Sequence, residues 1–277
     1  MAANDLRKFV KSVLTGPGNV KSEMADALLT TEVMRMFEKA FVSKLTDSFD
    51  NYEMIEFTGD SFLKAYSAKF ITTRFPMVQN PEWLTRLRQF YEKGSTLATI
   101  AHGEGFDRFV VVPPKMVRTL DNEPYRATLE DVFEAFIGTV VTAFDRVHPD
   151  GVGYAVGKNI AFHYYYKIDI ELSRDFLWDP VSRLKEMYDR YWNSSTRLMY
   201  HTKYDERTKM YTVEVYGWLH MPKGTLKSAF TYQNAKLIAS ASDSSEFMAK
   251  NTAAKKALEI VLKDGWQEKV HHPSKRD

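Results

Sequence analysis

The sequence predicts a mainly helical protein in two parts. The first is an all-helical domain. The second is a smaller α+β domain in the order helix–strand–strand–strand–helix. Three observations carry this. Apolar residues recur at helical spacing through roughly the first 165 residues. From Asp179 onward the texture changes, and apolar residues fall at about every second position in three short runs. A last helical pattern then closes the module at Ala249, Ala253, Ala254, Ala257, Leu258 and Val261.

Taken in order, Met24–Lys44 has the apolar spacing of one helix, with Leu28, Val33, Met36, Phe37, Ala40 and Phe41 on its face. Glu53–Phe75 is a second long pattern, stopped by Pro76. Pro81 opens a third, through Tyr91. Lys93-Gly94-Ser95-Thr96 breaks it, and Leu97–His102 resumes it. Val110-Val111-Val112 is a short apolar run ended by two prolines. Leu129–Phe144 is mostly apolar and helical, and Gly151–Tyr166 follows. Within the latter, His163-Tyr164-Tyr165-Tyr166 reads as packing rather than as a base-stacking cluster. In the second part, Pro180 stands in the first turn of a helix through Tyr191, where its missing N–H costs nothing. Arg197–Lys203, Met210–Trp218 and Ala235–Ala241 are the expected strands. The expected boundaries are a domain over 1–172, a linker over 173–178, a second domain over 179–266 and a basic tail over 267–277.

Composition narrows the functional classes. Apolar residues are 44% and charged residues 27% of the chain, an ordinary globular mix that excludes wholesale disorder and fibrous repeats. No apolar run approaches a membrane span, and no apolar stretch follows the early basic residues, so an intracellular, non-secreted protein of cytoplasm or nucleus is expected. The absence of cysteine excludes disulfides and thiolate-ligated metals. Net charge is +2, but it divides unevenly: residues 178–277 hold 17 Lys/Arg against 12 Asp/Glu, and residues 1–177 hold 21 against 24. A basic second module is compatible with nucleic-acid binding, and equally with ordinary variation in solvated surface charge.

Two acidic clusters carry the chemistry. Glu53, Glu56 and Asp60 are spaced i, i+3 and i+7, so a helix places them on one face. Asp131 and Glu134 are again i and i+3, inside a strongly apolar helix. Like charges on one face repel, more so when buried. They are either solvated acids on amphipathic helices or ligands of a hard divalent cation, which takes oxygen donors. Two pairs on neighbouring helices would suit metal-assisted hydrolysis of a phosphodiester.

The segment Glu53-Met54-Ile55-Glu56-Phe57-Thr58-Gly59-Asp60 resembles the signature of the ribonuclease III family. Phe75-Pro76, Lys93-Gly94-Ser95-Thr96-Leu97-Ala98 and Asp131–Gly138 resemble its next segments in the same order. The module from Asp179 resembles a double-stranded RNA-binding domain. The resemblance covers about residues 20–265 and implies a Mg²⁺-dependent endoribonuclease, with Mn²⁺ as a substitute. Such an enzyme cuts double-stranded RNA to 5′-phosphate products with short 3′ overhangs. It implies Glu56, Asp60, Asp131 and Glu134 as metal ligands and Glu53 as an accessory catalytic acid. It implies a homodimer, with Phe57 filling a hollow on the partner subunit; otherwise Phe57 is an ordinary core aromatic. It implies close backbone approach at Gly59, where the plain alternative is a helix weakened by about 1 kcal/mol. It implies RNA contacts from Ser182, Lys185 and Glu186 on the module's first helix and from Lys250 on its last.

The module departs from its family. Where a lysine-rich start of the last helix is expected, Ser245-Glu246-Phe247-Met248-Ala249-Lys250 stands. Each lost phosphate contact weakens binding and flattens its salt dependence. The loop that enters the minor groove is replaced by Tyr204–Lys209, and an insertion over 220–234 carries Lys223 and Lys227. A non-catalytic double-stranded RNA-binding or ribosome-associated protein is the alternative function, though members of that kind lose acids that this chain keeps.

Overall fold

The computed structural model describes residues 3–149, 151–192, 198–219 and 235–268. The expected insertion over 220–234 and the chain beyond Glu268 lie outside the described residues. The chain folds as two compact units, with the boundary between Asp169 and Ile170.

The first unit is helical: α1 (Ala3–Thr15), α2 (Ser22–Leu28), α3 (Thr31–Ala40), α4 (Glu53–Arg74), α5 (Pro81–Glu92), α6 (Gly94–Gly103), α7 (Glu123–Asp145) and α8 (Val152–Tyr166). Its axis is α7, a helix apolar nearly all round and buried from Val132 through Val141. Such a helix can only be stable inside a core. Phe9, Phe37, Phe41 and Phe106 pack around its Phe136, with ring centroids 5.0–6.3 Å from that ring.

Two sequence expectations are corrected here. Met24–Lys44 is two helices, because the Thr30 hydroxyl accepts the Val33 N–H at 3.3 Å and caps α3. A threonine whose side chain bonds the backbone in this way favours a start over a continuation. Past Ala40 the chain turns extended, and Val42 pairs in parallel with Val111, which gives the apolar run before Pro113 its place. The break expected over Lys93–Thr96 is confined to Lys93, whose backbone is extended (φ −67°, ψ 139°) and caps α6. Tyr164 and Tyr165 are buried in the core, as the packing reading expects.

The second unit comprises α9 (Arg174–Leu177), α10 (Pro180–Trp192), β1 (Leu198–Asp205), β2 (Met210–Gly217), β3 (Lys236–Asp243) and α11 (Glu246–Lys263). The sheet is antiparallel in the order β1-β2-β3, with Val213 opposite Ala241 and Val215 opposite Ala239. That face packs on Leu184, Met187 and Tyr188 of α10 and on Ala249, Ala253, Ala257 and Leu258 of α11. Small alanines on α11 let the helix lie close to the sheet, so the alternating strands and the alanine pattern bury the same surface.

The segment read as a linker holds structure of its own. Ser173 caps α9, and Trp178 is buried under the Arg174 guanidinium at 4.9 Å from the ring centre. Arg183, buried on α10, donates to Glu268 at 2.8 and 3.0 Å and also to Asp175. Glu268, placed by the sequence reading in the tail, is therefore part of the fold. Replacing Arg183 by Met leaves Glu268 short of its bidentate partner. The expected cost is about 3 kcal/mol, the usual loss when one member of a buried pair is removed. It is read as a lower urea midpoint of the second unit by Trp fluorescence.

Candidate metal centre

The centre forms where α4 crosses α7. A Cβ built on Gly59 would overlap the Glu134 carbonyl, and one on Gly138 would overlap the carbonyl of Ile55, both far inside the 3.0 Å that real Cβ atoms keep. Glycine at both positions lets the two backbones touch. This close crossing brings the acids of one helix to those of the other. At the start of α4, the Asn51 side chain accepts the Glu53 N–H at 2.8 Å, and Glu53 and Glu56 lie in the first turn. Carboxylates are favourable there, at the positive end of the helix dipole.

Carboxylate oxygens of Glu56, Asp131 and Glu134 lie within 4.8 Å of one another. Glu134 is 7% exposed. Burial pushes its carboxyl up to about 9, and the charges of Asp60, Glu130, Glu56 and Asp131 push the same way. Burial also raises Glu56 and Asp131, with Asp131 adding to the shift at Glu56. A cluster of acids raised in this way costs free energy until a cation joins it. Only oxygen donors are offered, three of them converge, and the site is half-buried. The set fits a hard divalent ion such as Mg²⁺ or Mn²⁺.

The remaining expected residues stand differently. Asp60 is outside the close triplet and accepts a hydrogen bond from Lys64 Nζ at 2.6 Å. Glu53 is exposed and faces Lys44 at 3.5 Å. Phe57 is 74% exposed, one turn from Met54 at 82%, so it is no core aromatic. In the second unit, Lys185 is exposed and Ser182 half-buried. Glu186 is paired with Arg174 at 3.2 Å. Lys250 lies over the Tyr200 ring at 5.0 Å, while Phe247 and Met248 are exposed at the start of α11. Between β1 and β2 only residues 206–209 remain, a tight turn in which Asp205 Oδ1 accepts the Arg207 N–H at 2.8 Å. Lys256 donates to the Ser240 carbonyl at 3.2 Å.

Four further groups escaped the sequence reading. Tyr52, buried, donates its hydroxyl to Asp131 Oδ2 at 2.7 Å. Glu130 sets its carboxyl in the space left by the missing side chain of Gly94, and burial pushes it up to about 7, with Asp131, Glu56 and Asp60 adding to the effect. Lys44 pairs with Glu53 and Lys64 with Asp60. Lys64 was legible as the fourth residue after Asp60 on one helix face. Nothing in the local sequence joins Tyr52 to Asp131 or Glu130 to Gly94.

Tyr52→Phe tests the first of these. The hydroxyl holds one Asp131 oxygen in place, and loss of such a supporting hydrogen bond typically weakens a metal site about 10- to 100-fold. We expect Mn²⁺ affinity to fall by about tenfold in calorimetry, with circular dichroism unchanged.

The match to a known family falls on this same region. The Ribonuclease III domain family matches residues 53–144, from the first residue of α4 almost to the end of α7. A protein of Frog virus 3, provisionally named a ribonuclease 3, is 33% identical over 158 residues, 56% of this chain and 42% of that protein. This chain thus spans less than half of that relative's length. The ribonuclease 3 of Francisella philomiragia is 27% identical over 222 residues, 79% of this chain and 85% of that protein. Among solved structures, the nuclease domain of ribonuclease III from Campylobacter jejuni aligns with a TM-score of 0.40 at 20% identity, over 51% of this chain and 93% of that one. No helix among the described residues is long and apolar enough to cross a membrane.

Proposed function

We propose, from the premise that this chain belongs to the ribonuclease III family, that it is a divalent-metal-dependent endoribonuclease acting on double-stranded RNA. The observation that carries this reading is the convergence of Glu56, Asp131 and Glu134 across the glycine-to-glycine crossing of α4 and α7. These three would hold Mg²⁺, or Mn²⁺ in its place, and Asp60 would complete the set. The ion supplies a water of lowered pKa and stabilises charge on the phosphate oxygens. Tyr52 orients Asp131, and Glu53 is an accessory acid at the rim. The products would carry 5′-phosphates and short 3′ overhangs.

A homodimer is part of the proposal. Phe57 and Met54, one turn apart on α4, are both exposed apolar side chains, and such exposure favours a protein partner. A nuclease domain followed by an RNA-binding-like domain is part of the proposal, with the division near Asp169 and α9 standing where a linker over 173–178 was expected; so is an intracellular location in cytoplasm or nucleus. Ser182, Lys185, Glu186 and Lys250 remain the proposed RNA contacts of the second unit. With Glu246 and Phe247 where lysines are expected, and only a four-residue turn after β1, that unit should add little phosphate contact.

The test is a long blunt RNA duplex and a matched single strand, incubated with the full chain in Mg²⁺ and in EDTA, with product ends mapped. Metal-dependent duplex cutting with staggered 5′-phosphate ends is expected. Duplex binding without cutting would favour the non-catalytic alternative.

A further inference from the structure

Asp60 stands apart from the close triplet although it shares the helix face of Glu56. The difference is a local cation. Lys64, one helical turn on, reaches back to Asp60 Oδ2 at 2.6 Å. An acid followed by a lysine at i+4 is the favourable order on a helix. The same ammonium also lies in the field of Glu134 and Glu92. Lys44 in turn faces Glu53 at 3.5 Å and acts on Glu56 and Asp131. The acids at the crossing are thus partly neutralised by lysines of the chain itself.

We propose that Lys64 is a positioning residue that holds Asp60 away from the metal centre, so that the divalent ion binds only by taking Asp60 from it. This rests on the reading of the acids as a metal centre and adds a gate to it. Two consequences follow from one contact. Without the ion, Lys64 relieves repulsion that would otherwise weaken the α4–α7 crossing. With the ion present, a cation already occupying Asp60 has to be displaced, which lowers the affinity for the metal. A half-exposed i,i+4 pair is a modest interaction, so the gate should shift metal affinity by a few-fold rather than by orders of magnitude.

The test is calorimetric titration of the full chain with Mn²⁺, free of RNA. Lys64→Met should tighten binding about three- to fivefold, and Lys64→Arg should stay within about twofold of the unchanged protein. The same Lys64→Met change in an Asp60→Asn background should have almost no effect, because the contact it removes is already gone. Equal tightening in both backgrounds would mean that Lys64 acts only as a distant positive charge, and the proposal would fall. Unchanged or weaker binding in Lys64→Met would sink it too. If no form takes up Mn²⁺ at millimolar concentration, the metal-centre reading itself fails and takes the gate with it.

Discussion

Glu134→Gln is expected to lower the rate of duplex cleavage by at least about a thousandfold, with the fold intact. Metal-assisted stabilisation of phosphate charge is worth several kcal/mol, and each 1.36 kcal/mol is tenfold in rate. Gln keeps the shape of Glu134 but withdraws an anionic ligand from the most buried acid of the centre. The stability of the metal-free protein should move the other way. The Glu134 carboxyl is pushed up to about 9 from an ordinary 4.5, first by burial and then by four neighbouring acids. The folded chain therefore keeps a proton that the unfolded chain releases. The stability this contributes is full below about pH 4.5 and is lost as pH rises through about 9. Gln cannot ionise, so in EDTA the variant should melt several degrees above the unchanged protein at pH 9 and converge with it near pH 5. Adding Mg²⁺ should raise the melting temperature of the unchanged protein more than that of the variant, since a ligand stabilises the state that binds it. Cleavage within tenfold of the unchanged protein would remove Glu134 from the centre.

Gly59→Ala should be the most destabilising single methyl group in the first unit. Two effects oppose each other. Alanine gains about 1 kcal/mol over glycine as a helix former. Against this, its Cβ would lie inside the backbone carbonyl of Glu134, and no flexible side-chain end is available to move aside. The helices must separate at their crossing, and overpacking of that kind typically costs about 1–3 kcal/mol and occasionally more. Here the obstacle is main chain, so the net loss should reach about 3 kcal/mol. Urea denaturation would show it as a lower midpoint at unchanged slope. The separation also pulls Glu56 away from Glu134, so Mn²⁺ affinity should fall in the same variant. A midpoint equal to or above that of the unchanged protein would mean that the two backbones do not touch at this crossing.

The acids were legible in the sequence because helical spacing is a local property. Glu56 and Asp60 had to share one face of α4, and Asp131 and Glu134 one face of α7, once those segments were helices. Gly59 was legible as a point of close approach, though not its opposite, Gly138. The α2–α3 boundary at Thr30 was missed because the apolar spacing runs across it without a change of phase. The break is marked by the non-helical backbone of Leu29 and Thr30 and by the hydroxyl-to-Val33 bond.

Local sequence was enough to set most of the elements, their order and the residue types available to the site, because propensity, periodicity and capping act within a few residues. Which groups meet was left to packing. The crossing at Gly59 and Gly138 sets three acids together while Asp60 stays with Lys64. It also gives Asp131 to Tyr52, 79 residues away in the chain, and fits Glu130 against Gly94. Such partners depend on how two helices pack, and packing depends on the whole core around α7.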